Sequence, residues 1–342
     1  MIRRYRPVLL VVAILATGVD RHSYLLADDS EISPEVIRLV ISKSIPLLEK
    51  GTIGSADQRQ CFTCHSQTIP VLALAEARKR RFTIDDENFK RQMGHTESHL
   101  ERGREDYLAG RGQGGKVLTA GYALWALEAG GRTRNDTTTA VVRFLLEYQK
   151  ETSHWKHQGS RPPSSGSDFT ATYVALRGLA TFGIEEQQSE IKTRTEQVRE
   201  WLLSETPQDT EDRVFRIWAL PYVKAGEDTV QEASSELIAS QQEDGGWAQT
   251  AGMESDAYAT GTVLVTLLRA ADVSAEHPSV RRGVQYLVSS QLDDGTWHVV
   301  TRAEPFQTYF ESGFPHGKDQ FISIAASSWA TLALVYFLPE SP

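Results

Sequence analysis

"SQQEDGGWAQ" at 240–249 and "SQLDDGTWHV" at 290–299 share one pattern, Q-x-x-D-G-x-W, set at Gln241–Trp247 and Gln291–Trp297. The copies lie one period of 50 residues apart, and "QKETSHW", Gln149–Trp155, keeps the Gln-to-Trp spacing with its middle eroded. A period of this length marks a stacked repeat, whose unit cannot bury its apolar face alone. Each copy closes one amphipathic helical pattern and precedes another. Val280, Val284, Leu287 and Val288 fall at helical spacing before Gln291. After each copy comes a helix rich in small residues: 167–183, 255–271 and 322–338, with a fourth of this type at 116–131. Small residues admit close neighbours on both sides, as an inner ring requires, while the charged-face helices suit an outer ring.

This pattern predicts an all-α chain, an (α/α)6 toroid of six outer and six inner helices with no strands. The outer helices are expected near 34–49, 86–108, 136–149, 190–204, 228–241 and 278–291. The inner ones are expected near 66–80, 116–130, 168–182, 212–224, 256–271 and 321–337. Alternation makes all inner helices parallel, so their N-termini share one rim.

The repeats resemble those of squalene and hopene cyclases and of protein prenyltransferase β-subunits, over most of 34–338 and most clearly over 228–338. The resemblance implies that Gln241, Trp247, Gln291 and Trp297 tie outer helices together. It also implies an acid of the D-x-D-D type at an inner-helix start, able to protonate an alkene. In "ESDAYA", 254–259, Asp256 falls at the donor position, with Glu254 and Ala257 in place of the flanking aspartates; "GSDFTA", 166–171, keeps Asp168 alone. Either aspartate could instead cap its helix. One toroid falls short of the two that triterpene cyclases enclose a cavity between, and the D-x-C zinc site of prenyltransferases is missing.

The 342 residues, 40% hydrophobic, suffice for a large core. A net charge of −9 with no extended basic block argues against nucleic-acid binding. The start, "MIRRYRPVLLVVAILATG", places arginines before a short apolar run, the layout of a secretory signal over 1–27. Its removal takes four arginines and one aspartate and leaves −12. The domain is then 28–342, periplasmic or secreted, and no other stretch reads as a bilayer span.

The only cysteines stand in "CFTCHSQ", 61–67. C-x-x-C-H is the attachment pattern of c-type haem, with Cys61 and Cys64 bonding the vinyl groups and His65 binding iron. A disulfide or redox pair, and a zinc site with a ligand from elsewhere, use the same residues. The chain also resembles bacterial exported proteins with a C-x-x-C-H-x-Q stretch ahead of cyclase-like repeats. The stretch lies in an outer-to-inner connection, on the rim shared with Asp168, Asp256 and the long segment 301–321. That segment mixes Arg302, Tyr309, Glu311, His316, Lys318 and Asp319 with aromatics at 306, 309, 310, 314 and 321. It suits a lid or binding wall, or padding around the mouth. His316 is a candidate distal haem ligand or proton carrier, and Asp319 a further catalytic candidate. His95 and His99, one turn apart, could share a metal or simply face solvent. Tyr122, Trp125, Tyr173, Trp218, Tyr258 and Trp329 either line an apolar axial cavity or pack the core.

Three functions follow. One is an exported haem c toroid for redox chemistry or electron transfer, beside a cavity for an apolar or extended ligand and with a redox partner protein. The second is an isoprenoid cyclase or isomerase with Asp256 as donor. The third is a binding scaffold stapled by a disulfide.

Overall fold

The computed structural model describes residues 32–159, 161–305 and 308–339, so the 1–27 segment, Phe306 and Gln307 lie outside the described residues. Thirteen α-helices are present among these: α1 (Pro34–Gln58), α2 (Ile69–Lys79), α3 (Asp86–Arg102), α4 (Arg104–Leu108), α5 (Lys116–Ala129), α6 (Asp136–Glu147), α7 (Asp168–Phe182), α8 (Gln188–Ser204), α9 (Thr210–Ala219), α10 (Glu227–Ala239), α11 (Ala257–Arg269), α12 (Pro278–Ser290) and α13 (Gln320–Phe337). Apart from one isolated bridge, Arg161 with Ser165, no β pairing occurs among the described residues.

Six helices close a ring. α2 packs on α5, α5 on α7, α7 on α9, α9 on α11, α11 on α13, and α13 returns to α2. The remaining helices flank it, α1 against α13 and α2, α3 against α5, α6 against α5 and α7, α8 against α7, α10 against α9, and α12 against α11 and α13. Small residues set the spacing of the inner ring. A Cβ on Gly261 would stand 2.7 Å from the backbone of Trp329 and Ala330, and one on Gly121 2.5 Å from a Val174 methyl.

The repeat motif works as a clasp. Trp155, Trp247 and Trp297 are buried, and each indole N–H donates over 2.9 Å to the carbonyl of the leucine ten residues earlier, Leu145, Leu237 and Leu287. Gly245 and Gly295 turn the chain at φ +87° and +90°, a region open to glycine. The Gln241 amide donates to the Gly245 carbonyl at 2.7 Å and the Ser279 carbonyl of α12 at 2.8 Å. Gln291 does the same to Gly295 and to Val40 of α1, at 3.0 and 2.9 Å. In the eroded copy the donor changes, as Arg194 of α8 lies over the Trp155 ring at 4.2 Å and donates to the Gln149 carbonyl at 3.0 Å.

Several boundaries differ from the sequence expectation. α1 continues to Gln58, and the helix expected over 86–108 breaks at Gly103. There the Gln113 amide caps the His99 carbonyl at 2.9 Å, and a Cβ on Gly103 would strike that glutamine. The segment Gly317–Phe337 is long and apolar enough to cross a bilayer, contrary to expectation, but 78% of its apolar window is buried in the ring.

Candidate functional site at the barrel mouth

The barrel axis is filled. Trp125 of α5 meets Trp218 of α9 at 6.4 Å and Trp329 of α13 at 6.1 Å, with Tyr122 and Tyr173 packed on the same indole. α5, α9 and α13 are alternate members of the ring, so the three tryptophans converge from three sides. Of the aromatic residues that could have lined an axial cavity, Tyr122, Trp125, Tyr173, Tyr258 and Trp329 are therefore core, and Trp218 is half-buried. The space lies above them, at the rim where the inner helices begin.

A cavity of about 390 Å³ opens there, walled by His65, by the loop carrying Arg161 and Pro162, and by Tyr309, Lys318 and Phe321 of the late segment and α13. The expected convergence of residue 65 with the late segment on one mouth is thus met. Cys64–Thr68 forms one π-helical turn ahead of α2. Gln67 shapes it, because its side-chain oxygen accepts from the Thr63 backbone N–H at 2.8 Å while its backbone N–H donates to the Thr63 carbonyl at 3.0 Å. The Thr68 hydroxyl pins the turn to the Tyr122 carbonyl at 3.0 Å. Wide turns of this kind present side chains that a regular helix would rotate away.

His65 packs edge-on against Phe321 at 5.4 Å, and among the described residues no hydrogen-bond partner meets its ring. Burial and the Arg161 charge lower its pKa to about 3, so the imidazole is neutral. Cys64 faces inward, its sulfur 3.9 Å from the Ser164 hydroxyl, and burial pushes its thiol up. Cys61 is exposed, and its carbonyl accepts from His95 Nε2 at 3.3 Å. Both cysteines are free thiols.

The rim aspartates hold loops. Asp256 caps α11 by accepting from the Ala259 amide at 2.9 Å, and receives the Gln249 amide at 2.9 Å; burial raises its pKa. Asp168 does not cap, for Ser167 does so. Asp168 instead takes His157 Nδ1 at 2.6 Å, the His157 amide at 2.9 Å and His154 Nε2 at 3.2 Å. Burial would raise its pKa, but these donors outweigh it and hold the carboxylate well below the usual range. Asp319 repeats the device with His298 Nε2 and the Thr301 amide, both at 3.0 Å. Each aspartate thus fastens the stretch just after a clasp tryptophan, and none lines the cavity.

His316 shares the mouth but not the cavity. Its ring stacks on His298 at 4.6 Å, and Nε2 pairs with the Thr296 hydroxyl at 2.8 Å. His99 stacks on Phe62 at 6.0 Å and burial lowers its pKa to about 4; no group of three metal-ligating side chains occurs among the described residues.

Glu211 escaped the sequence reading. It is buried among Thr170 and Tyr258, whose hydroxyls donate at 3.1 and 3.2 Å. Burial, with Asp209 and Asp212 nearby, raises its pKa to about 8, so it carries a proton at neutral pH. The signal was present: Glu211, Phe215 and Trp218 stand at i, i+4 and i+7 on the inward face of α9.

Residues 214–321 match the family model of the squalene-hopene cyclase C-terminal domain. The squalene–hopene cyclase of Bradyrhizobium diazoefficiens is 31% identical over 122 residues, 30% of this chain and 17% of that protein. A probable squalene–hopene cyclase of Sinorhizobium fredii is 32% identical over 115 residues, 28% and 16% of the two. The chain thus matches about a sixth of the length of these curated relatives, and the residues matched by the family model lie C-terminal to Cys61–His65. Among solved structures, the type II terpene cyclase MstE from Scytonema superposes with a TM-score of 0.55 at 10% identity, over 89% of this chain and 98% of that one. Its complex with merosterolic acid A gives 0.53 at 12%, over 89% and 97%. A possible GH105 family member from Salmonella enterica gives 0.52 at 13%, over 96% and 99%. At these identities the likeness is one of fold.

Proposed function

We propose that this chain, a squalene-cyclase-like α/α toroid, is an exported protein that binds a c-type haem covalently at the barrel mouth and serves redox chemistry there. The observation that carries the reading is His65, a neutral imidazole with no hydrogen-bond partner among the described residues, opening onto a partly aromatic cavity, with the Cys64 sulfur 3.9 Å from Ser164 of its wall and Cys61 exposed outside its lining. The donor set suits the group. Cys61 and Cys64 would supply the thioether sulfurs and His65 a nitrogen to the iron, while Phe321 and Pro162 would give apolar walls and Lys318 a positive charge for the haem carboxylates. Bound in this way, the group supplies one-electron chemistry whose potential the enclosing residues tune. Attachment outside the cytoplasm requires export, which assigns residues 1–27 a signal function and the mature chain a periplasmic or secreted site.

The two MstE structures with bound product or substrate hold apolar isoprenoid-type ligands, and the space beside His65 suits an apolar or extended molecule in this chain. A redox partner protein would exchange electrons at the same open rim. The family match and the neighbours favour the cyclase reading, and against it stand Asp256, which caps its helix, and the tryptophans that meet on the axis.

The test is the visible spectrum of the protein exported from a host that matures cytochromes. A Soret band should remain after denaturation in the wild type and vanish in Cys61→Ala/Cys64→Ala. A colourless wild-type protein, folded and exported, would end the proposal.

A further inference from the structure

Resting on that reading, we infer that Glu211 is the proton acceptor coupled to electron uptake at the mouth, taking one proton for each electron that reaches the group held by Cys64. Glu211 sits at the start of α9, at the rim where the inner helices begin, and is only 3% exposed. Tyr258 of α11 and Thr170 of α7 meet its carboxyl with neutral hydroxyls, at 3.2 and 3.1 Å. The charges of Glu211 and of Cys64 both act on Tyr122 and on Tyr258, so these four side chains share one buried region. Tyr122 joins that region to the cavity. Its hydroxyl donates at 3.5 Å to the carbonyl of Ser164, the wall residue whose own hydroxyl lies 3.9 Å from the Cys64 sulfur.

The charged groups around it leave the acid free to titrate. On α9 itself, Asp209 and Asp212 add like charge. On α7, Asp168 is tied to His154 and His157, and Arg177 to Glu128. On α11, Asp256 caps its helix, and the charge of Arg302 from the late segment acts on Asp256 and Asp209. Arg161 acts on His65 and Cys64, and Tyr222 in the turn after α9 lies toward Arg177. α10 packs on α9 with Ala233, Ser234 and Leu237 buried, none of them charged. Burial and the neighbouring acids raise the Glu211 pKa to about 8, so its proton exchanges in an accessible range. An added electron in a low-dielectric interior favours a proton nearby. The coupling is reciprocal, because whatever reduction adds to the proton affinity of Glu211, the bound proton adds to the electron affinity. One electron enters from the redox partner protein and one proton from solvent, forming the carboxyl O–H bond; reoxidation returns both.

The experiment titrates the full exported holoprotein by spectroelectrochemistry on either side of pH 8. The midpoint potential should fall as pH rises, by up to about 59 mV for each tenfold drop in proton concentration, the one-electron equivalent of tenfold in an equilibrium constant. Glu211→Gln keeps an oxygen that accepts from Tyr258 and Thr170, and should flatten that dependence. Tyr258→Phe removes a donor to the carboxylate and should move the sloping range to higher pH. In the infrared difference between reduced and oxidised protein, a protonated-carboxyl band should grow on reduction and be lost in Glu211→Gln. A wild-type potential independent of pH, or a slope unchanged in both variants, would overturn the inference. A protein with no covalent pigment fails the haem reading and this inference with it, whereas a pigmented protein with a flat potential fails the inference alone.

Discussion

Replacing Trp247 by alanine removes a buried indole, its hydrogen bond to Leu237 and the clasp between α10 and α12 at one stroke. The expected loss is about 3–5 kcal/mol, read as a fall in the urea midpoint. Titratable residues give predictions of opposite sign. Asp168 has a folded pKa below its ordinary value, so its contribution is present above about pH 4 and is lost as pH falls through the folded value. His157, its partner, is raised by that hydrogen bond, so its contribution is present below about pH 6.5 and is lost as pH rises through the folded value. Asp168→Asn should therefore cost most between those limits, about 0.5–1 kcal/mol since both side chains are roughly a third exposed. Glu211 runs the other way from Asp168. Its raised pKa favours the folded state at low pH and penalises it progressively as pH climbs from about 4 toward 8. Glu211→Gln should remove that slope, leaving the variant more stable than the wild type at pH 8 and no more stable at pH 4, in unfolding curves taken at both. Glu211 went unread although its spacing with Phe215 and Trp218 carries the signal, whereas the partners of Asp168 lie 11 and 14 residues away across a loop. No periodicity encodes such a pairing.

At the level of helices, alternation of small-residue and charged-face patterns was enough to give the ring, because packing on two sides and packing on one leave different residues in sequence. What spacing could not decide was whether the inward tryptophans line space or fill it. Trp125, Trp218 and Trp329 occupy the same helical positions in either case, and only their meeting across the axis settles it. The glycines of the inner ring carry a direct test. Gly261→Val drives a branched side chain into the α13 backbone and should cost about 1–3 kcal/mol by overpacking, seen as a lower melting temperature. The π turn is the least legible element, since it exists through Gln67 closing on Thr63. Gln67→Ala leaves the Thr63 amide without that acceptor and should cost about 1–3 kcal/mol, with a reduced yield of pigmented protein from the same host.

Across the whole molecule, one rim collects everything chemically distinctive. The π turn, the loop through Arg161, the start of α13 and the late segment meet around a single cavity, while clasps and aspartates hold the surrounding connections in place. A closed ring plugged by aromatic side chains makes a rigid floor, and a cofactor site gains precision from such a floor. The fold is that of squalene-cyclase-type toroids, with tryptophans meeting on its axis and the proposed haem site at the mouth. Intact mass spectrometry of the denatured, exported chain tests this most directly. The expected mass exceeds that of the processed polypeptide by one haem, located on the peptide holding Cys61 and Cys64. A mass equal to the bare chain, or two hydrogens lighter through a bond between those sulfurs, would contradict it.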